Sequence, residues 1–491
     1  MSFILAIDQS TSATKGVLFS ESGELVDKVS SDHRQIYPQA GWLEHDAAEI
    51  WKNVLKVIRE LAERNDLHAN QPLGISIANQ RETFVVFDRK TGEPLHNAIV
   101  WQCRRGALLC DELREQGKEP LIRARTGLKL DTYFPAAKIS WLMRQYPDIA
   151  AKIHSGEAVI GTIDAYLIHR LTRGEVFATD HTNASRTLLY NVHQLHWDQE
   201  LCNLFAVPMH ALPKVQPCDA RFGKTDVEGL FTEPLPICGV MGDSQASLFA
   251  QQCYEPGMGK ATFGTGTSVL VNVGTNSKLT LEGAVLALAW VIDREPTYAL
   301  EGIINYSSAT IAWLKDQLGL IADASESEAL ARQVEDNGGV YLVPAFAGLS
   351  APHWQPEARA AILGMSGHTS KAHVVRAALE SIGYQIRDVL DMIHDESGIT
   401  PNLLRADGGP TRNNFLMQFT ADITQLPWSV SSVVESSALG AAMAGLLRLG
   451  ATSLETLANQ PRSDKEFIPQ IPSAEADRLH QAWQAAVKRV L

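Results

Sequence analysis

The sequence has no excess of positive charge and no long apolar run. Its 491 residues include 43 Lys and Arg against 56 Asp and Glu, which gives a formal net charge of −13. A nucleic-acid-binding protein is not expected, because phosphate groups are neutralised by clustered cationic side chains. The longest strongly apolar run, 284–292, has nine residues, about half of the roughly 20 that span a bilayer. The N-terminus lacks the basic region and apolar stretch of a signal peptide.

Cysteine is also scarce, and three familiar site motifs are missing. The six cysteines include no C-x-x-C pair, which argues against a disulfide framework or a zinc site and favours reduced thiols in the cytoplasm. No G-x-G-x-x-G follows a strand-like segment, and no H-E-x-x-H occurs. The segment 223–225 reads like the end of a P-loop, but Cys218 stands where the loop needs its first glycine.

Strand-like and helix-like segments alternate along the chain. Strands are predicted at 73–78 and 236–240, and helices follow Asp46 and Lys371, the first with a capping box that pairs Asp46 with Glu49. Alternation of this kind indicates α/β layers. At roughly 100–200 residues per domain, the length allows two or three domains. We place the main boundary near 246–255 and predict two α/β domains facing one another across a cleft.

Two predicted β-hairpins, at 4–19 and 259–272, have turns rich in hydroxyls and glycine and lie about 255 residues apart. The backbone N–H groups and hydroxyls of such turns can hold phosphate oxygens, and Asp8 at the mouth of the first could hold Mg²⁺. An ordinary polar turn stays an alternative for the first hairpin alone. A third turn, 407–414, joins a strand to a helix and suits a flat ring or a pyrophosphate; its alternative is a plain β-to-α loop.

Candidate acceptor-binding residues follow predicted strands. Arg81 and Glu82 come directly after a buried strand, and adjacent opposite charges at that place are costly to bury unless they bind something or each other. Trp101 ends another apolar run, and Tyr133 lies in a short aromatic segment. Asp243 follows the strand at 236–241, where a general base would lie beside the cleft. Each of these residues, taken singly, could be structural.

Together these segments resemble the FGGY family of carbohydrate kinases, from Ile4 to about Lys488. Both family signatures are present, at 133–141 and at 360–365 continuing to 373–380. Patterns typical of the members that phosphorylate glycerol occur in the segments 41–46, 79–83, 101–105 and 180–187.

The resemblance implies two actin-like ATPase (ribonuclease H-like) domains, at 1–248 and 249–491, with the active site in the cleft between them. It implies ATP and Mg²⁺ as cofactors, with Asp8 near the metal and Asp243 as the base. The implied polyol-binding residues are Arg81, Glu82, Trp101, Tyr133, Asp243, Ser244 and Ser268. The implied ATP-binding residues are Thr11, Ser12, Ala13, Lys15, Thr265, Ser308, Ala312, Gly409 and Asn413.

Several positions depart from the family pattern. Ser244 replaces a Gln and Ser268 replaces a Phe that packs on glycerol, so both changes remove bulk from the acceptor pocket. On the nucleotide side, Ser10 and Ser308 each replace a Gly and Ala312 replaces a Gln. The loop 227–234 lacks the Gly-Arg pattern that binds fructose bisphosphate in some members, so that regulation is not expected.

The sequence thus predicts an ATP-dependent kinase that phosphorylates a terminal hydroxyl of a small polyol, with glycerol converted to sn-glycerol 3-phosphate as the first choice. A kinase for a longer polyol or ketose is the alternative within the family, and a non-catalytic sensor on the same fold is the alternative outside it. The expected protein is cytoplasmic and a homodimer or homotetramer, without nucleic-acid or integral membrane contacts.

Overall fold

The structure is a computed structural model that describes residues 2–279, 281–355, 357–433 and 435–491. Its strands are β1 (Phe3–Gln9), β2 (Ala13–Ser20), β3 (Leu25–Asp32), β4 (Glu44–His45), β5 (Ile75–Asn79), β6 (Phe84–Asp88), β7 (Ala98–Ile99), β8 (Ala158–Thr162), β9 (Ala178–Asp180), β10 (Tyr190–Asn191), β11 (His196–Trp197), β12 (Lys214–Gln216), β13 (Arg221–Thr225), β14 (Leu235–Gly242), β15 (Met258–Phe263), β16 (Thr267–Gly274), β17 (Val285–Ile292), β18 (Glu295–Ile304), β19 (Tyr341–Val343), β20 (Ala361–Leu363), β21 (Leu403–Asp407), β22 (Trp428–Val430) and β23 (Lys465–Phe467).

The α-helices are α1 (Ala47–Arg64), α2 (Ala107–Glu115), α3 (Glu119–Thr126), α4 (Pro135–Gln145), α5 (Pro147–Ser155), α6 (Ile163–Leu171), α7 (His181–Ala184), α8 (Gln199–Leu204), α9 (Asp243–Ala250), α10 (Ser308–Asp316), α11 (Glu326–Ala331), α12 (Lys371–Ser397), α13 (Asn414–Thr424), α14 (Ser436–Leu449), α15 (Leu454–Ala458) and α16 (Ser473–Val487). Short 3₁₀ turns occur at Met209–Ala211 and Gly409–Arg412. Within the described ranges, no helix is both long enough and apolar enough to cross a membrane.

The chain folds into two compact units. The first unit comprises Met1–Gln252, Leu286–Tyr298 and Val433–Gln460, and the second comprises Cys253–Val285, Ala299–Ser432 and Pro461–Leu491. The first passage between the units lies inside the predicted boundary region of 246–255. The later return of 433–460 to the first unit departs from a simple halving of the chain, because α14 packs against β1, β5 and β14.

The first unit is built on a six-stranded sheet with the order β13-β14-β5-β1-β2-β3. Strands β1 and β2 form the predicted antiparallel hairpin, while β5 runs parallel to both β1 and β14. Helix α1 packs on the sheet through its apolar stripe, which includes Ile50, Trp51 and Val54, against buried residues such as Leu5 and Ile7. The carboxyl ends of β1, β5 and β14 therefore share one edge of the sheet.

Helix α1 begins where the sequence predicts, but its cap is simpler than a capping box. The Asp46 side chain accepts hydrogen bonds from the backbone N–H groups of Ala48 and Glu49. The Glu49 carboxylate accepts from Arg34 instead of returning to the Asp46 backbone. A salt bridge to a neighbouring segment has replaced the second half of the motif.

The second unit repeats the same pairing pattern in a seven-stranded sheet with the order β17-β18-β16-β15-β21-β22-β23. The predicted hairpin is β15 and β16, and β21 runs parallel to both β15 and β22. Helix α12, predicted from Lys371 onward, extends to Ser397 and packs on α13. Tyr384 of α12 stacks on Trp483 of α16 with ring centroids 5.2 Å apart, so the C-terminal helix closes this core.

Candidate functional site

The predicted acceptor residues of the first unit meet at the shared edge of its sheet. Gln9, Asn79 and Gly242 are the last residues of β1, β5 and β14, and Asn79 is in register with both of the others. The chain therefore delivers the first hairpin turn, the Arg81-Glu82 pair and Asp243 to one place. Ligands of open α/β sheets bind at such carboxyl ends.

Asp243 is the first residue of helix α9, and its carboxylate lies against Arg81. The Asp243 Oδ1 atom is 3.3 Å from Arg81 Nε and also accepts the backbone N–H of Ser244 at 2.7 Å. The side chain is 34% exposed, whereas that of Arg81 is 5% exposed. A buried cation thus orients a carboxylate that can reach solvent or a substrate. Gly242 permits the close approach of the Arg81 side chain, because a Cβ atom at position 242 would lie 2.8 Å from Arg81 Cγ.

Glu82 is buried and held by a second arginine. Its Oε1 atom is 2.5 Å from Nε of Arg186, which is fully buried, and 3.8 Å from Arg81 Nε. Glu82 has a left-handed backbone with φ of 60°, a conformation that non-glycine residues adopt at some energetic cost and that is concentrated at functional sites. The structure therefore brings Arg81, Glu82 and Asp243 together, with Arg186 as a partner that the sequence did not indicate. The role of the first three in acceptor binding stays a prediction.

Helix α7 and its N-cap residue Asp180 connect two of the strand ends of this site, those of β5 and β14. Thr182 Oγ1 accepts the backbone N–H of Gly242 at 2.8 Å, and Asn183 exchanges side-chain hydrogen bonds with Asn79, each 2.9 Å long. Asp180 accepts from the backbone N–H groups of Thr182 and Asn183. The segment 180–187 was recognised in the sequence only as a family pattern, and its structural role is to fix the strand ends that carry the acceptor residues.

The Glu82–Arg186 pair gives a first prediction. We expect Arg186→Met to destabilise the protein by about 3 kcal/mol, because it removes the nearest partner of a buried carboxylate. The double variant Glu82→Gln/Arg186→Met should regain part of that stability, since it removes the buried charge as well. Thermal unfolding of the wild type, both single variants and the double variant measures the coupling; a double variant no more stable than Arg186→Met would contradict it.

Trp101 and Tyr133 form an aromatic wall in the same unit. Their ring centroids are 5.2 Å apart with an interplanar angle of 59°, and both side chains are only partly buried. The Trp101 indole donates to Thr11 Oγ1 at 3.0 Å. This bond ties the wall to the first hairpin turn, so the predicted acceptor and phosphate residues of the first unit are neighbours.

Asp8 and Lys15 face each other across the first hairpin. Lys15 Nζ is 3.3 Å from Asp8 Oδ2 and 2.6 Å from an oxygen of Glu435, which also pairs with Lys28 at 3.1 Å. Burial raises the pKa of the Asp8 carboxyl to about 6, with Lys15 opposing the shift and Asp243 and Glu435 adding to it. The two lysines outweigh the effect of burial on Glu435 and lower the pKa of its carboxyl. Glu435 was not singled out from the sequence.

The first hairpin turn is held by its own hydroxyls. Ser10 Oγ donates to the Ala13 carbonyl at 2.9 Å and accepts the Ala13 N–H at 3.3 Å. Thr11 is partly buried, while Ser12 is exposed at the tip. The serine that departs from the family pattern therefore closes the turn and engages the backbone of Ala13, and the roles of Thr11, Ser12, Ala13 and Lys15 in nucleotide binding stay predictions.

In the second unit, the other hairpin turn is anchored on helix α10. The Thr265 carbonyl accepts from the backbone N–H of Ser307, and the Gly264 carbonyl accepts from both the backbone and the side chain of Ser308. Thr265 and Ala312 are exposed, with Ala312 one helical turn after Ser308. Ser308 therefore stabilises the turn it was predicted to neighbour.

The third predicted turn lies against the last residue of β15, next to the turn of this hairpin. Gly408 has φ of 102°, and a Cβ atom there would lie 1.9 Å from the Phe263 carbonyl oxygen, so only glycine is tolerated. Gly409 is exposed and has open space on its side-chain face. Asn413 caps α13 and donates to Ser327 Oγ at 3.2 Å. The structure thus brings Thr265, Ser308, Gly409 and Asn413 to one end of the second sheet, with Ser327 as an unpredicted neighbour.

Ser268 lies on β16 of the second unit, and its hydroxyl donates to Glu301 Oε1 at 3.1 Å. Glu301 is 1% exposed. The serine is therefore part of a polar pair rather than an isolated small residue. Its predicted contact with the acceptor stays a prediction.

Comparison with known protein families shows to which family the chain belongs. The model of the N-terminal domain of the FGGY family of carbohydrate kinases matches residues 3–250, and that of the C-terminal domain matches residues 259–449. The chain belongs to the FGGY family. It is accordingly a phosphotransferase with an alcohol group as acceptor.

Individual relatives agree over the full length. Glycerol kinase 1 of Thermotoga maritima is 45% identical over 490 residues, which cover 100% of this chain and 99% of the relative. The glycerol kinase of Desulfitobacterium hafniense is 44% identical with the same coverage. The solved structure of Plasmodium falciparum glycerol kinase with ADP is similar with a TM-score of 0.96 and 37% identity, covering 100% of this chain and 98% of the other.

A ligand-bound xylulose kinase from Lactobacillus acidophilus, at 22% identity and a TM-score of 0.90, covers 99% of this chain and 97% of its own and shares the fold. These likenesses confirm the predicted α/β fold with two actin-like ATPase domains.

Proposed function

We propose that the protein transfers the γ-phosphoryl group of ATP to a terminal hydroxyl of a small polyol, with glycerol as the first acceptor and sn-glycerol 3-phosphate as product. The observation that carries the proposal is the Asp243 carboxylate, oriented by buried Arg81 and partly exposed at the edge of the first sheet. The full-length likeness to named glycerol kinases supports the choice of acceptor. Action in the cytoplasm as a homodimer or homotetramer is part of the same proposal.

The acceptor is bound in the first unit by groups of complementary chemistry. Trp101 and Tyr133 cover the carbon chain, while the charges of Arg81 and Glu82 bond to its hydroxyl groups. An analogue that lacks a hydroxyl gives up a hydrogen bond to one of these buried charged groups, so the pocket discriminates strongly against it. Asp243 accepts the proton of the terminal hydroxyl as that oxygen attacks, which is the task of a general base.

Asp8 is the residue that fits a divalent cation in the first unit. Its Oδ2 atom accepts from Lys15, and its buried Oδ1 atom has no hydrogen-bond partner among the described residues. Mg²⁺ prefers hard oxygen ligands and commonly takes one or two carboxylates together with phosphate oxygens. A bound Mg²⁺ ion would neutralise phosphate charge, and Asp8 would hold the ion.

The nucleotide is assigned to the two hairpin turns and the third turn. In the second unit we assign the adenosine to Gly409 and Asn413, and phosphate contacts to Thr265 near Ser308 and Ala312. In the first unit we assign phosphate contacts to Thr11, Ser12, Ala13 and Lys15. Turns with exposed backbone N–H groups and hydroxyls suit phosphate oxygens, and the open face of Gly409 suits a flat ring.

A longer polyol remains the second candidate, because Ser244 and Ser268 are smaller than the residues of the family pattern. Steady-state kinetics with three- to five-carbon polyols tests the choice. Under the proposal glycerol has the highest kcat/KM. A tetritol whose kcat/KM exceeds that of glycerol by more than about tenfold would instead identify the protein as a kinase for a longer polyol. ADP release that stays at background with every polyol would favour a non-catalytic sensor.

The Ser268→Phe variant gives a second prediction. The larger apolar side chain should shift the ratio of kcat/KM for glycerol over a tetritol toward glycerol by about 10-fold or more, since each methylene excluded from a pocket is worth roughly 1–3 kcal/mol. Its matched control is Ser308→Gly, which restores a family residue on the nucleotide side. The control should change KM for ATP and leave the acceptor ratio alone; an unchanged ratio in Ser268→Phe would exclude Ser268 from the acceptor pocket.

A further inference from the structure

Lys138 is a buried lysine that the proposed chemistry does not use. It lies in the first turn of helix α4 and is 0% exposed. Its ammonium donates to three backbone carbonyl oxygens: that of Val100 at 3.3 Å, that of Trp101 at 3.2 Å and that of Tyr133 at 3.1 Å. An ammonium has three protons, so these three bonds use all of its donors.

The three carbonyls belong to the two segments that form the aromatic wall. Trp101 follows the two-residue strand β7, and Tyr133 lies in the loop before α4. Outside this contact the Trp101 N–H donates to Thr83 and the Tyr133 N–H donates to Asp131 in its own loop. Neither segment belongs to a long regular element, so the ammonium is a common anchor that sets their separation.

We propose that Lys138 is a positioning residue for the acceptor, whose charged ammonium holds the Trp101 and Tyr133 segments at the spacing that binds the polyol. The inference rests on the proposed function. Lys138 touches neither the reacting atoms nor the acceptor, and it acts through the backbone of the two aromatic residues. A polyol kinase that loses this anchor keeps its base and its nucleotide site but binds the acceptor poorly.

The chemistry of the ammonium explains why a costly group is kept there. Burial lowers the pKa of Lys138 to about 8, and the groups that face it and oppose the shift are Cys103, Glu82, Asp131 and Cys110. A neutral amine has only two N–H donors and a lone pair, so deprotonation loses the hydrogen bond to one of the three carbonyl oxygens and turns the lone pair toward that oxygen. The wall should therefore loosen as the pH rises through about 8.

The stability of the fold changes in the opposite direction. The folded pKa of about 8 is below the value of 10.5 for a free lysine side chain. Between these values the unfolded chain binds more protons, so the Lys138 contribution makes the folded protein more stable as the pH rises. Acceptor affinity and stability thus diverge, a combination that a residue serving only the core would not produce.

The first test compares Lys138→Met with Ser140→Ala. Ser140 is buried on the same helix and donates to the Phe205 carbonyl, away from the aromatic wall. Lys138→Met should raise KM for the polyol about tenfold or more, because small displacements of positioning groups have large effects, while KM for ATP stays within about twofold. Ser140→Ala should alter neither constant. In protein labelled with 5-fluorotryptophan, the ¹⁹F resonance of Trp101, assigned with Trp101→Phe, should move in Lys138→Met only.

The second test uses the wild type and decides the matter even if Lys138→Met does not fold. The acceptor KM should rise between pH 7.5 and 9.5 while KM for ATP does not, and Cys103→Ser should keep the rise, which excludes the nearby thiol as its source. A flat acceptor KM over this range would overturn the inference, as would an unchanged acceptor KM in folded Lys138→Met. Failure of the proposed function would look different, because the wild type itself would then turn over no polyol.

Discussion

Asp243→Asn is expected to lower kcat by about 10²–10⁴-fold, the range that a general base contributes, and to leave the dissociation constant of ATP within about twofold. The amide keeps the size of the side chain but cannot accept the proton of the attacking hydroxyl. Arg81 keeps its contacts with Gln245 and Glu82 in the variant, so the site should stay folded. Steady-state kinetics and calorimetric titration with ATP measure the two quantities.

The matched control is Ser437→Ala. The Ser437 hydroxyl donates to the backbone carbonyl of Asp243 at 3.1 Å and leaves the carboxylate untouched. Turnover in this control should stay within a few-fold of the wild type. If Asp243→Asn lost ATP binding and turnover to the same extent, the residue would be structural and the assignment of the base would be wrong.

Asp8→Asn is expected to lose most turnover and to gain stability. Turnover falls because a neutral amide is a poor ligand for Mg²⁺. In the wild type, the folded pKa of Asp8, about 6, lies above the ordinary value of 3.8. The stability that Asp8 contributes is therefore present below pH 3.8 and is lost as the pH rises through about 6. The variant is more stable at neutral pH because its amide does not ionise and does not incur this loss. The shift corresponds to about 3 kcal/mol at neutral pH. Lys15 keeps its contact with Glu435 in the variant.

The pH dependence and a control separate the two effects. Thermal unfolding at pH 7.5 should show a higher Tm for Asp8→Asn, and the gain should shrink toward pH 4. Asp164, buried within the same unit and bonded to Thr179, also has a pKa raised by burial, to about 7. Asp164→Asn should therefore also gain stability at pH 7.5, with a gain that shrinks toward pH 4, and keep its turnover. A lower Tm for Asp8→Asn at pH 7.5 would contradict the account of this site.

The hairpins and their neighbouring strands were predictable because their signals are local. Apolar runs of strand length flank short polar turns at 10–12 and 264–266, and the structure has hairpins at both places. The Gly408-Gly409 turn was predictable for a similar reason, since the glycine pair stands between a strand-like run at 403–406 and an apolar segment at 415–417. The proximity of Asp8, Arg81 and Asp243 was predictable because each lies at or just after the carboxyl end of a strand. Parallel strands bring these ends to the same edge of a sheet.

Partners from distant parts of the chain were not predictable in the same way. Lys15 and Glu435 are separated by 420 positions, and Glu82 and Arg186 by 104. A charge in a sequence does not indicate which opposite charge will be buried beside it until the fold is known. Lys138 was visible within a family signature, but its three carbonyl partners are backbone atoms and leave no residue-specific trace in the sequence.

The return of Val433–Gln460 to the first unit was missed for the same reason. The segment that forms α14 reads as an ordinary apolar helix, and nothing local marks the sheet on which it packs. Its small residues, including Gly440 and Gly445, meet backbone atoms of the first unit at distances that leave no room for a Cβ. Close approach of this kind is evident only once both surfaces are known.

Direct observation of the phosphorylated product is the most decisive measurement. Purified wild-type protein is incubated with ATP, Mg²⁺ and glycerol, and the mixture is followed by ³¹P NMR. The account predicts a phosphomonoester of a primary alcohol that grows in step with ADP, and a signal that grows at least about 100-fold more slowly with Asp243→Asn. Release of inorganic phosphate with ADP and no phosphomonoester, or no reaction with glycerol or any longer polyol, would contradict it.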